Sequence, residues 1–239
     1  HAIAYCQVLE ALSRCQVSFR AHGIRAIALE LERMANHTGD LGALAGDVGY
    51  LPTASFCGRI RGDYLNMTAM LCGNRFGRGL VRPGGVGYDL TPEIAKQLCN
   101  RLHTIMKDTA VAVNLLWRSP SVLSRFEETG KISPELASEL GLVGVAARAC
   151  GIERDCRYNL PAGMYCVNQI PVSTYETGDV FARAFVRWLE IQKSAAFIDN
   201  LLNLLPQGPT QIELHSLAPS SLAVSLVEGW RGEICHVGI

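Results

Sequence analysis

Apolar and polar positions recur with a helical period along most of the chain and with a strand period only near its end. Residues 2 to 13 carry the helical pattern, and a long helix follows from about Phe19 to Val48, stopped by Gly49 and Pro52. A third helix fits "ASFCGRIRGDYLNMTAMLCG" and ends at Gly73. The fourth has the best start signal in the chain: Thr91 as N-cap, Pro92 at the first helical position and Glu93 in the first turn, with apolar periodicity to about Trp117. Ser133, Pro134 and Glu135 start a short helix closed by Gly141, and the last long helix runs from about Gly178 to Leu205, before Pro206. Beyond it, "TQIELHSL" and "SLAVSLVEGWRGEICHVGI" alternate, which predicts short strands with a turn around Gly229. The expected fold is mainly α: a helical bundle over 1–205, with a small antiparallel β element in 206–239 packed on it.

The long second helix carries an unusual polar stripe. Arg33, Asn36, His37, Asp40, Leu44 and Asp47 fall within roughly a 100° arc, the i, i+3, i+4, i+7 spacing of one face. On roughly the opposite side lie Ala28, Ala35, Gly39, Gly42 and Gly46, which favour close approach of another backbone. The stripe reads either as a solvated face with local pairing, such as His37 to Asp40, or as the buried polar wall of a site.

Composition narrows the function classes. Lys plus Arg and Asp plus Glu both number 22, so no electrostatic case exists for nucleic acid or an anionic membrane. Apolar residues make up 49% and charged residues 18%, a balance that favours burial against partner proteins and predicts exposed apolar patches in the isolated chain. No run of 18 or more apolar residues spans a bilayer, and no signal-peptide pattern is present. The start at His1 and the strand pattern still running at the end read as an internal fragment. Nine cysteines without a CxxC pair argue against a disulfide framework or a self-contained zinc or iron–sulfur site; a metal link among Cys150, Cys156 and Cys166 is the weaker alternative to reduced core cysteines.

Two irregular segments are rich in arginine. "GNRFGRGLVRPGGVGYDL" offers either a phosphate cradle with Arg75, Arg78 or Arg82, or a tight crossover whose glycines take positive φ; the GxxxxGKS/T and GxGxxG spacings are missing. "GLVGVAARACGIERDCRYNLP" places Arg148 and Arg154 near Asp155, where structural ion pairing is expected.

Six segments, "HAIAYCQVLEAL", "RAIALELERMANHTGDLGALAGDVG", "RPGGVGYDL", "GLVGVAARACGIERDCR", "GDVFARAFVRWLE" and "EGWRGEICHV", resemble in that order the large subunit of membrane-bound NiFe hydrogenases of the formate hydrogenlyase type. The same superfamily includes the 49 kDa, or D, subunit of NADH:quinone oxidoreductase. In such hydrogenases, CxxC pairs before the position of His1 and beyond that of Ile239 hold nickel and iron. The resemblance therefore implies a Ni–Fe centre in the parent protein, no metal ligand inside this fragment and no turnover by the fragment alone.

The resemblance also assigns roles. A carboxylate over the hydrogenase metals matches Asn36, which keeps hydrogen bonding but loses ionisation, and an arginine over them matches Arg231, with Trp230 in place of the usual proline. His37 is placed to relay protons beside them. In the quinone-reducing relatives an aspartate of a segment like "AGDVG" lies near the quinone headgroup, so Asp47, with His37, takes the quinone-binding role in that reading. The segments "EGWRGEICHV" and "AYCQVLE" favour a hydrogenase-type oxidoreductase core that passes electrons between hydrogen and iron–sulfur partners. The quinone-site 49 kDa type is the alternative, and a non-catalytic scaffold paralogue the third reading. Either redox reading implies an iron–sulfur small subunit, membrane-arm partners, and a cytoplasmic position peripheral to the inner face of the membrane.

Overall fold

A computed structural model describes residues 1–239. Its helices are α1 (Ala2–Leu12), α2 (Phe19–Asp47), α3 (Leu51–Cys72), α4 (Pro92–Trp117), α5 (Pro120–Phe126), α6 (Pro134–Glu139), α7 (Gly144–Arg148), α8 (Cys156–Asn159) and α9 (Val180–Leu204). Two antiparallel hairpins complete it, β1 (Val81–Arg82) with β2 (Gly85–Val86), and β3 (Ala223–Glu228) with β4 (Glu233–Gly238). The mainly α bundle with a β element at its C-terminal end is the architecture expected from the periodicity.

The caps act where the sequence places them. The Thr91 hydroxyl accepts from the Ile94 amide and the Ser133 hydroxyl from the Leu136 amide. Pro52 departs from expectation: it stands in the first turn of α3, where its missing N–H costs nothing, so α3 starts three residues earlier than the pattern suggested.

Helices α2, α3, α4 and α9 enclose one core containing Ile27, Leu31, Met34, Ile60, Leu102 and Ile198. The small face of α2 packs on α3. A Cβ at Gly39 would lie 2.8 Å from Arg61 Cδ, and one at Gly42 would lie 2.8 Å from Cys57 Cβ. Gly46 lies beyond this contact, with nothing near it.

Alternation held for one segment and failed for the other. β3 and β4 pair from Ala223 opposite Gly238 to Glu228 opposite Glu233, and α1 packs on them through Val8, Leu12 and Ala223. "TQIELHSL" forms no strand; it contributes a single bridge, Gln211 to Gly85. The Thr210 carbonyl accepts from Val86 N–H at 2.8 Å, and Ile212 N–H donates to the Gly84 carbonyl at 2.8 Å. This approach explains the paired glycines of the hairpin: a Cβ on Gly84 or Gly85 would fall 2.0 Å from the Ile212 oxygen or 2.1 Å from the Thr210 oxygen.

The same hairpin excludes the phosphate-cradle reading. Gly84 N–H donates to Glu10 Oε1 at 2.8 Å, and Arg25 pairs with Glu10 while its Nε and Nη2 donate to the Gly85 carbonyl. A carboxylate of the chain itself fills the anion position, and the glycines take the positive φ of a crossover.

Candidate functional site

The polar stripe of α2 points into a buried cluster of charge. Glu30, Arg33 and His37, at i, i+3 and i+7 on one face, meet Glu190 and Ser194 of α9, Arg148 of α7, Asp155 and Arg157 at the start of α8, Tyr165, and Glu228 of β3. All are buried, and four carboxylates face three guanidiniums.

Each ion is held by several partners. Glu30 accepts from Arg33 Nε at 3.1 Å, Arg157 Nη1 at 3.0 Å, Tyr165 Oη at 2.6 Å and Ser194 Oγ at 2.6 Å. Glu190 Oε1 accepts from Arg148 Nε at 2.9 Å, while its Oε2 lies 2.7 Å from His37 Nε2. Arg148 Nη1 reaches Glu228 Oε1 at 2.9 Å, and Arg157 forks onto Asp155. Arg33 donates to the Gly229 carbonyl at 2.9 Å and the Glu228 carbonyl at 2.6 Å, tying α2 to the C-terminal hairpin.

Burial opposes charge on Glu190, yet Arg148, the His37 hydrogen bond and Arg157 outweigh it and hold the carboxyl well below the usual carboxylate range. Glu30 is likewise held down, against burial, by Arg33, Arg157 and the hydroxyls of Ser194 and Tyr165. Burial lowers the His37 pKa, and Arg33 and Arg187 lower it further against the pull of Glu190. A neutral imidazole therefore donates from Nε2 to Glu190, and its Nδ1 has no partner. Burial and Glu30 push Tyr165 well up, so the phenol remains a donor.

The stripe's other members meet different fates. Asp40 does not pair with His37; its Oδ2 accepts from Arg187 Nε of α9 at 2.9 Å. Asn36 is half-buried and donates to the Glu32 carbonyl of its own helix at 2.9 Å. Asp47, the last residue of α2, is exposed, and its side chain makes no hydrogen bond or ion pair within the chain. Arg231 sits in the β3–β4 turn, whose backbone presses on Gly144; its exposed guanidinium lies over the Trp230 ring, 4.4 Å from the centroid. No side-chain hydrogen bond or ion pair joins any two of Asn36, His37, Asp47 and Arg231. Of the expected Arg148, Arg154 and Asp155 grouping, Arg148 pairs with Asp155 at 3.6 Å inside the cluster and donates to the Arg154 carbonyl, while the Arg154 side chain turns outward to Glu233 of β4 at 2.8 Å.

Sequence reasoning missed Glu190 as the centre of the cluster. The available signal was an acid in helical register with Ala182 and Val186 on the apolar face of α9. Cys150, Cys156 and Cys166 do not converge: their thiols donate separately to the Ala146 carbonyl, to Glu233 and to the Pro161 carbonyl.

Comparison with known proteins decides between the hydrogenase and the 49 kDa readings. The family described as "Respiratory-chain NADH dehydrogenase, 49 Kd subunit" matches residues 47–233. The D subunit of NADH-quinone oxidoreductase from Ehrlichia ruminantium is 30% identical over 224 residues, covering 92% of this chain and 55% of the relative. NADH-quinone oxidoreductase subunit 4 of Thermus thermophilus is 34% identical over 219 residues, 92% of this chain and 54% of the relative. The chain thus spans about half the length of these relatives. A chain from the membrane-bound sulfane sulfur reductase, an archaeal respiratory membrane complex, shares the fold with a TM-score of 0.87 at 23% identity, over 98% of this chain and 65% of that one.

These findings overturn the hydrogenase reading, since the family and the named relatives are of the alternative, 49 kDa type. The chain belongs to the family of the 49 kDa subunit of respiratory-chain NADH dehydrogenase.

Proposed function

We propose that this chain is the helical core of a 49 kDa-type oxidoreductase subunit whose α2 faces a quinone headgroup at its C-terminal end. The observation that carries this reading is the file of charge along one face of α2: unpaired Asp47 at the exposed end, the Asp40–Arg187 pair next, and His37 on Glu190 inside. At 1.5 Å rise per residue, ten residues separate Asp47 from His37 by about 15 Å, so the two cannot touch one headgroup. Asp47 is the contact to substrate. His37 is the inner end, an imidazole able to exchange a proton against Glu190 as charge at the site changes.

Asn36 and Arg231 stand apart from this file and take no part in it. The remaining half of the full-length protein supplies the rest of the pocket. Electrons arrive from an iron–sulfur partner, and membrane-arm partners receive the conformational or protonic consequence. The position in this reading is peripheral, on the cytoplasmic face of the complex; no helix is long and apolar enough to cross a membrane.

Asp47→Asn in the assembled complex tests this. Quinone reduction is expected to fall at least tenfold while donor oxidation with an artificial acceptor and the content of assembled subunits stay unchanged. Unchanged quinone turnover and KM would remove Asp47 from the site and favour a scaffold role.

A further inference from the structure

A second constellation lies away from the α2 face, and its argument does not rest on the quinone reading. Cys99 and His103 are four residues apart on α4, one turn along the same face. Opposite them, α9 presents Asp199. The Cys99 thiol donates to Asp199 Oδ1 at 3.1 Å, and His103 Nε2 lies 2.9 Å from the same oxygen. Sγ, Nε2 and Oδ1 all fall within 4.8 Å of one another, and this is the sole convergence of three such ligand atoms in the chain. The His103 side chain is 57% exposed and free to point to water, yet it turns to the same atom as the thiol.

We propose that Cys99, His103 and Asp199 form a transition-metal site of the zinc class that clamps α4 to α9. A borderline-soft divalent ion suits one sulfur, one imidazole nitrogen and one carboxylate oxygen. Bond lengths of about 2.0 to 2.3 Å at tetrahedral angles put ligand atoms roughly 3.3–3.6 Å apart, so Asp199 Oδ1 must move off Sγ and Nε2 by only a few tenths of an ångström to admit the ion, a modest rotamer adjustment. On binding, the Cys99 thiol releases its proton to solvent and coordinates as thiolate, neutral His103 coordinates through Nε2, and Asp199 through Oδ1. Without metal, the thiol and His103 Nε2 both meet Asp199 Oδ1, and the trio rests as a hydrogen-bonded group. The fourth coordination position opens to solvent, since Asp199 is itself 36% exposed; it accepts a water or a donor from a neighbouring protein.

Titration of the reduced, metal-free chain with Co²⁺, followed by Zn²⁺ displacement, tests the site. The expected result is a saturable sulfur-to-cobalt charge-transfer band at one ion per chain, lost in Cys99→Ser and weakened at least tenfold in affinity in His103→Ala. Cys166→Ser, which removes an exposed thiol elsewhere, should leave the band intact. Zn²⁺ should also raise the Tm of the wild-type chain and not that of His103→Ala, whose exposed position makes misfolding no explanation. Absence of the band, or its persistence in Cys99→Ser, would overturn the proposal.

Discussion

Arg33 and His37 differ from Asn36 and Asp47 in everything but their place on one helix. All four fall on the polar stripe of α2, yet Arg33 and His37 are fully buried while Asn36 is half-buried and Asp47 exposed. The inner pair meets α9 and the β3–β4 turn; the outer pair meets its own helix or solvent. Periodicity defines a face, and the neighbouring elements decide which part of that face is an interior. The inner segment holds charge in place, and the open end is the part that the proposal assigns to the quinone.

The largest expected effect breaks the inner segment. Glu190→Ala takes one carboxylate from Arg148, which keeps Glu228 and Asp155, and leaves His37 unpaired; loss of one partner of a buried ion pair costs about 3–5 kcal/mol. Urea unfolding of the chain should show a much lower midpoint or no folded baseline. A smaller effect is expected for Tyr165→Phe, which removes one hydrogen bond to the Glu30 carboxylate and should cost about 1.5–3 kcal/mol by the same measurement.

Acid should also act on the inner segment, in two stages. Glu30, Glu190 and His37 all have lowered pKa values in the folded chain. For His37 the unfolded chain binds the proton first, so its contribution is complete above about pH 6.5 and is lost as pH falls through the folded value. For the carboxyls the contribution is complete above about pH 4.3 and is lost at still lower pH. His37→Gln should therefore flatten the first stage, near and below neutrality, and leave the carboxylate stage in place. An unchanged profile above pH 5 would show that His37 titrates as it does in the unfolded chain.

The outer segment gives the smallest stability effects and so sharpens the contrast. Asp47→Asn and Arg231→Ala should each shift stability by about 0.5–1 kcal/mol at most, because neither side chain has a buried partner. A loss from Asp47→Asn as large as that from Glu190→Ala would dissolve the distinction between the two ends.

Helices were legible where local chemistry suffices. Thr91 with Pro92, and Ser133 with Pro134, announce starts that depend on nothing distant. Pro52 misled because proline marks both a stop and a first turn, and the short link between α2 and α3 let one residue be read for the wrong helix. "TQIELHSL" alternates as a strand does, but its companion is a hairpin of two-residue strands that offers only one bridge. That hairpin is itself held by Glu10 and Arg25, dozens of residues away, so nothing local marks it.

The candidate site was legible in part for the same reason. The α2 stripe and its small opposite face follow from spacing along one helix. The pairing of His37 with Glu190 links residues 153 positions apart, and Arg33 reaches Glu228 across 195, so only the folded chain brings them together. The hydrogenase reading erred on a different ground: it rested on six short segments, whereas the family match runs over residues 47–233.

The central claim is that the open end of α2 meets the quinone. Photo-crosslinking of the assembled complex with an azido-quinone, followed by peptide mapping of this chain, tests it most directly. The account predicts label on the segment around Asp47 and the start of α3, competed by unmodified quinone. Competable label confined to other proteins of the complex, or to parts of this chain remote from the end of α2, would contradict it.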